Sequence, residues 1–138
     1  MLESTSFAEV PGPFSSVAGE SVLIFGGTSG IGLATAVAAK TSGAAVTVAG
    51  RDRDRAAHVA HTHGFAGSFA AEIGDPEAIR QGLSAIERVD HLVMLAGALT
   101  IGKVMEADIG ILRRAYDERI RSVVHVLRAL GERLTADA

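Results

Sequence analysis

Four short apolar runs punctuate the chain, and longer mixed stretches separate them. The runs fall at 21–25, 45–49, 67–71 and 91–95. Each has the length and the branched or aromatic content of a strand rather than a helix. Between them the pattern changes period. An Ala-rich helix is predicted over 30–41, with Gly43 as its stop. A second helix is predicted over 53–63. A third begins at Asp75, whose side chain suits an N-cap, with Pro76 in the first turn, and is predicted to reach Arg88. After a loop over 98–107, a long helix is predicted over 108–134. There Ile120, Val123, Val124, Leu127, Leu130 and Leu134 recur at helical spacing, and Asp117 and Arg121 form an i,i+4 pair in the favourable direction. Strands that alternate with helices imply right-handed crossovers and a parallel sheet. Residues 1–20, broken by Pro11, Gly12 and Pro13, read as an extended lead-in whose last part runs down to the sheet edge.

The first strand leads straight into a glycine cluster, Gly26-Gly27-Thr28-Ser29-Gly30-Ile31-Gly32, and the cluster into the first helix. Gly26, Gly30 and Gly32 serve three different needs. One lets the chain turn sharply out of the strand, one lets backbone approach a pyrophosphate, and one lets the helix pack close. A helix start also offers unpaired N–H groups and the positive end of its dipole to an anion. Thr28 and Ser29 add hydroxyls at the same mouth, and the amides through Ile31 complete the candidate contact. The competing reading is a tight strand-to-helix turn that binds nothing.

The spelling GGTSGIG resembles the short-chain dehydrogenase/reductase family, whose usual form carries a threonine where Phe25 stands here. The resemblance runs through nearly the whole chain after the lead-in, yet over only the first half of a family member. It implies a Rossmann-like, doubly wound α/β parallel sheet of strand order 3-2-1-4, incomplete relative to the full fold, with residues 21–138 forming a truncated dinucleotide-binding domain. It also implies contacts to the adenine from Glu72 and Ile73, where the family reads Asp-Val or Asp-Leu. Ala96-Gly97 matches the end of the family's Asn-Asn-Ala-Gly, and Gly97 lets the nicotinamide-side ribose approach. Met94 and Leu95 replace the two asparagines, and Arg119 stands where the family has a mid-helix asparagine that supports a proton relay.

Cofactor choice rests on the end of the second strand. A carboxylate there would bind ribose hydroxyls and repel a phosphate, but the chain has Gly50 followed by Arg51. A guanidinium suits a phosphate through paired, charge-assisted bonds. Arg53 and Arg55 can assist, although Asp52 and Asp54 interleave with them. The resemblance points the same way, since members reading AGR here prefer NADP. The alternative for 51–55 is a solvated helix start.

Length and charge narrow the picture. One domain of 138 residues carrying a net charge of -3 gives no reason to expect nucleic acid or an anionic membrane as partner. There is no cysteine, no bilayer-length apolar run, and no basic-then-apolar start, so a cytoplasmic location is the expectation. His58, His61 and His63 do not make a metal set, because 63 leaves the face that 58 and 61 share. In the family the catalytic serine and a Tyr-x-x-x-Lys pair lie beyond the region matched here. The only tyrosine is Tyr116, with Ile120 four residues on, and the lysines are Lys40 and Lys103. No catalytic residue is therefore named. Two functions stay open: the NADP-binding half of an oxidoreductase that moves a hydride between NADP(H) and a carbonyl or alcohol, or a non-catalytic NADP-holding sensor or structural module. The substrate is not readable, and the long helix over 108–134 is the expected homo-oligomer contact.

Overall fold

The computed structural model describes residues 16–136. Its order is β1 (Ser21–Phe25), α1 (Gly30–Thr41), β2 (Ala45–Gly50), α2 (Arg53–His63), β3 (Gly67–Ala70), α3 (Pro76–Gly82), β4 (His91–Met94), α4 (Ile109–Tyr116) and α5 (Ser122–Leu130). The sheet order is β3-β2-β1-β4, and all three pairings are parallel. The expected topology is the one observed. Most of the lead-in lies outside the described residues. Its last part ties to the α1–β2 turn and the start of β2, where the Gly19 amide donates to Gly43 O (3.0 Å) and the Ala45 amide to Glu20 O (2.8 Å).

Side chains alternate across β1 and so divide the core in two. Val22 and Ile24 join Val46 and Val48 beneath α1 and α2, which contribute Ala36, Val59 and Ala60. Leu23 and Phe25 join Ala49 on the other face, beneath Ile79 of α3 and Val126 and Leu130 of α5. Central strands buried on both faces read as continuous apolar runs, as β1 does.

Strand ends fall within one residue of expectation, but two helices differ. The third helix closes at Gly82, followed by a tight 3₁₀ turn over Leu83–Ala85, instead of reaching Arg88. Two contacts explain this. A Cβ at Gly82 would lie 2.3 Å from the Phe69 ring, so glycine is what lets the helix sit on β3. The Arg133 guanidinium then donates to the carbonyls of Leu83 (2.7 Å), which also accepts from the Ile86 amide, and Ile86 (2.8 Å). The same guanidinium caps α5 by donating to Leu130 O (3.1 Å) and Ala129 O.

The long helix is not one regular α-helix. A π-turn occupies Asp117–Arg121 between α4 and α5, and Gly131, at φ +54°, ends the α-helical run before a 3₁₀ turn. Ser122 accounts for the widening: its amide donates to Asp117 O, five residues back, while its hydroxyl donates to Glu118 O (2.5 Å). The buried line of α5 runs through Ser122, Val126 and Leu130. Ile120, Val124 and Leu127, half of the predicted apolar stripe, are exposed.

The amino ends of β1 and β4 are locked together. Asp90 accepts from the Ser21 amide (2.9 Å) and Arg88 Nε (2.9 Å), and the Ser21 hydroxyl donates to Arg88 O (2.8 Å). The hydrogen bond from Arg88, then that from Ser21, holds the Asp90 carboxyl below the usual carboxylate range.

Candidate functional site

The carboxyl ends of the four strands open onto a cavity of about 540 Å³, a size usual for a small-molecule site. The glycine cluster forms its floor. Gly26 adopts φ +84°, and a Cβ there would lie 2.8 Å from the Ala96 nitrogen, so the turn needs both its conformation and its lack of side chain. At Gly32 a Cβ would be 1.9 Å from Gly26 O, which is why α1 can start against the turn. Gly30, at φ +55°, has open space around it. Ser29 is the N-cap of α1, yet its side chain makes no capping bond, and no acidic residue fills the first turn. The first amides of α1 are therefore left for an anion. Ile31 is 78% exposed at this mouth. Phe25 does not obstruct the bend: its ring is buried, edge-on to Phe69 with centroids 5.6 Å apart.

One side wall comes from the ends of β2 and β3. A side chain at Gly50 would meet Thr28, with its Cγ2 at 2.9 Å and Oγ1 at 3.1 Å from the Cβ position. Thr28 thus takes the space from which an acidic residue at 50 would reach a ribose. Arg51, Asp52 and Arg55 line this wall, together with Glu72 and Ile73. The Asp52 carboxylate is engaged as the N-cap of α2, accepting from the Arg55 amide (2.9 Å). Arg53, the first residue of α2, does not line the cavity, and Arg55 does. The N-cap at Asp52 fixes that difference, because it sets the rotation of the first helical turn.

The opposite wall is the segment after β4. Ala96 and Gly97 line it as expected, with Gly97 at φ +131°. Glu118 and Arg119 of the π-turn close the same wall. A Glu118 carboxylate oxygen accepts from the Ala98 amide (2.9 Å), and an Arg119 terminal nitrogen donates to Ala98 O (3.0 Å). Sequence spacing alone does not reveal this pairing, which joins residues twenty and twenty-one positions apart. Among the described residues no cluster of three His, Asp or Glu converges as a metal site, and no helix is long and apolar enough to cross a membrane.

A glycine floor that leaves amides free, a wall that sets Arg51 and Arg55 beside Asp52 and Glu72, and an open far end together form the crevice at a topological switch point where dinucleotides bind. The family model for short chain dehydrogenases matches residues 20–137. The chain belongs to the short-chain dehydrogenase family, whose members bind a nicotinamide dinucleotide, NAD or NADP. Among solved structures it is similar to a short chain dehydrogenase/reductase family protein (28% identity, TM-score 0.75, covering 83% of this chain and 49% of that one). It is also similar to a hydroxysteroid dehydrogenase from Escherichia coli (26% identity, TM-score 0.71, covering 82% and 51%). A short chain dehydrogenase from Salmonella enterica serovar Typhi shares the fold (24% identity, TM-score 0.74, covering 88% and 56%). No curated protein matches the sequence. The chain spans about half the length of these solved relatives, and its sheet is incomplete relative to theirs.

Proposed function

We propose that this chain is the NADP-binding half of a short-chain oxidoreductase and holds the cofactor that exchanges a hydride with a carbonyl or alcohol. The observation that carries the cofactor choice is the β2 corner: Thr28 packs over Gly50, while Arg51 and Arg55 line the wall beside it. Guanidinium groups there favour a ribose bearing a 2′-phosphate. In this reading the pyrophosphate sits on the amides of Ser29–Gly32, the adenine lies against Glu72 and Ile73, and the nicotinamide half reaches Ala96 and Gly97. Arg53 stands beside this corner and adds positive charge without lining it.

The exposed row of Tyr116, Ile120, Val124 and Leu127 supports a homo-oligomer formed through the long helix. The absence of cysteine from the sequence supports a cytoplasmic setting. A second reading, a module that holds NADP without chemistry, draws on one observation. Among the described residues lining the cavity there is no Tyr, Lys or His to move a proton.

Titration calorimetry tests the first claim. NADPH should bind more tightly than NADH, and Arg51→Ala should remove most of that difference, about 1–3 kcal/mol for charge-assisted bonds. Equal affinities in the unsubstituted chain would count against it. Without a Tyr-x-x-x-Lys pair, this chain should show no NADPH oxidation with a ketone above background under either reading. The two part on the parent coding sequence, where a Tyr-x-x-x-Lys pair past Ala138 supports the enzyme and a stop codon there supports the module.

A further inference from the structure

We propose that Glu118 and Arg119 are positioning residues that fix the Ala96–Ala98 wall, so that the cavity binds the nicotinamide half of its dinucleotide as well as the adenosine half. The inference rests on the dinucleotide reading above and extends it to two residues of the helix.

Three observations meet at this point. First, Ala98 is gripped on both of its backbone groups by adjacent residues of opposite charge, its amide by Glu118 (2.9 Å) and its carbonyl by Arg119 (3.0 Å). Hydrogen bonds to charged groups are about twice as strong as neutral ones, and using both groups fixes orientation as well as distance. Second, the grip is made from within the π-turn. In a regular α-helix neighbouring side chains diverge by about 100° around the axis, which makes it hard for two of them to converge on one residue. A wider turn carries more residues per revolution and reduces that divergence. Ser122 holds the turn open by splitting its amide and hydroxyl between two carbonyls.

Third, past Ala96, which packs against the core, the wall has little else to hold it. Gly97 sits at φ +131° with Arg119 Cζ and Nε at 3.8 Å from its Cβ position. Leu95 is 43% exposed, and Leu99 and Ile101 beyond are 78% and 84% exposed. From Gly97 to Ile101 every residue is exposed, and such a stretch depends on its polar ties for order. A second cavity of about 390 Å³ shares Ala98 and Glu118 with the first, so the grip is also the partition between the two.

The test compares a whole dinucleotide with its adenosine half on the intact chain, by calorimetry. The pairs are NADPH against adenosine 2′,5′-bisphosphate and NADH against AMP. Glu118→Ala and Arg119→Ala should each weaken the preferred dinucleotide about tenfold while leaving the matching half-ligand within about twofold. Glu118→Gln, which keeps an acceptor, and Arg119→Lys, which keeps a donor, should restore most of the loss. Hydrogen exchange should show the Ala98 amide opening faster in Glu118→Ala at an unchanged melting temperature. Alanine variants that bind the dinucleotide like the parent, or that lose the half-ligand equally, would overturn the proposal and leave the dinucleotide reading intact. An unsubstituted chain that binds none of the four ligands would overturn both.

Discussion

The two walls of the cavity are built on different principles. The wall and floor from 26 to 55 are set by backbone: glycines that admit a turn, a helix that starts against it, and a capped helix that presents Arg55. The wall from 96 to 98 is set by side chains that arrive from a helix twenty residues away. The first kind of wall is local and, at Gly26 and Gly32, tolerates no added atoms. The second is assembled from a distance and can lose a partner while the fold stands. Substitutions should therefore separate the two by size of effect and by what is lost.

The largest effect is expected at Gly32. An alanine Cβ would fall 1.9 Å from Gly26 O, and backbone on both sides leaves no room to yield. Gly32→Ala should cost more than about 3 kcal/mol or prevent folding, read by denaturant melts. A melt unchanged from the parent would mean that the first wall is not backbone-limited. Next comes Arg133, whose guanidinium serves carbonyls at the ends of both α3 and α5. Arg133→Ala takes the guanidinium from those acceptors, leaving the Leu83 carbonyl its bond from the Ile86 amide, and should cost about 2 kcal/mol. The loss should loosen the helix that carries Glu118 and Arg119, so dinucleotide affinity should fall along with stability.

A smaller effect is expected from Asp75, which caps α3 by accepting from the Glu77 (3.0 Å) and Ala78 (3.3 Å) amides. Asp75→Ala should cost about 1 kcal/mol with cofactor affinity unchanged. Acid reaches the lock at the amino ends of the strands. The Asp90 carboxyl is held low, so its contribution is fully present above the unfolded value and is lost as pH falls through the folded one. Melting temperatures should be flat around neutrality and drop below about pH 4, with Asp90→Asn flattening that acid limb. The least is expected from Asp117→Ala. Its exposed pair with Arg121 (3.2 Å) should change stability by less than about 0.5 kcal/mol.

This contrast also explains what could be read from the sequence. The strands, their order and the glycine floor were legible because each rests on local pattern: period, length, and the residues that permit a turn. Gly26, Thr28, Ser29, Ile31 and Gly32 all line the cavity, as do Arg51, Glu72, Ile73, Ala96 and Gly97. The choice between Arg53 and Arg55 was not legible, because it depends on which residue caps α2. With Asp52 known as the cap, the helical rotation separates them. Glu118 carried no signal, and Arg119 carried only its place where the family has a mid-helix asparagine. An adjacent acid and base in a long polar helix reads as a solvated face, and nothing local shows that Ser122 widens the turn there. The stripe through Ile120, Val124 and Leu127 faces solvent because α5 turns Ser122, Val126 and Leu130 to the core, a choice of face that the apolar spacing alone does not make.

The π-turn houses one extra residue in an otherwise α-helical run. Deleting one residue from between Asp117 and Ser122 would turn their i→i−5 bond into the ordinary i→i−4 bond between the same two residues. The flanking helices would keep the faces they now present, with α5 still anchored by Val126 and Leu130. A single deleted codon would then change the spacing of the turn under Ala98 and leave both helices and the sheet in place.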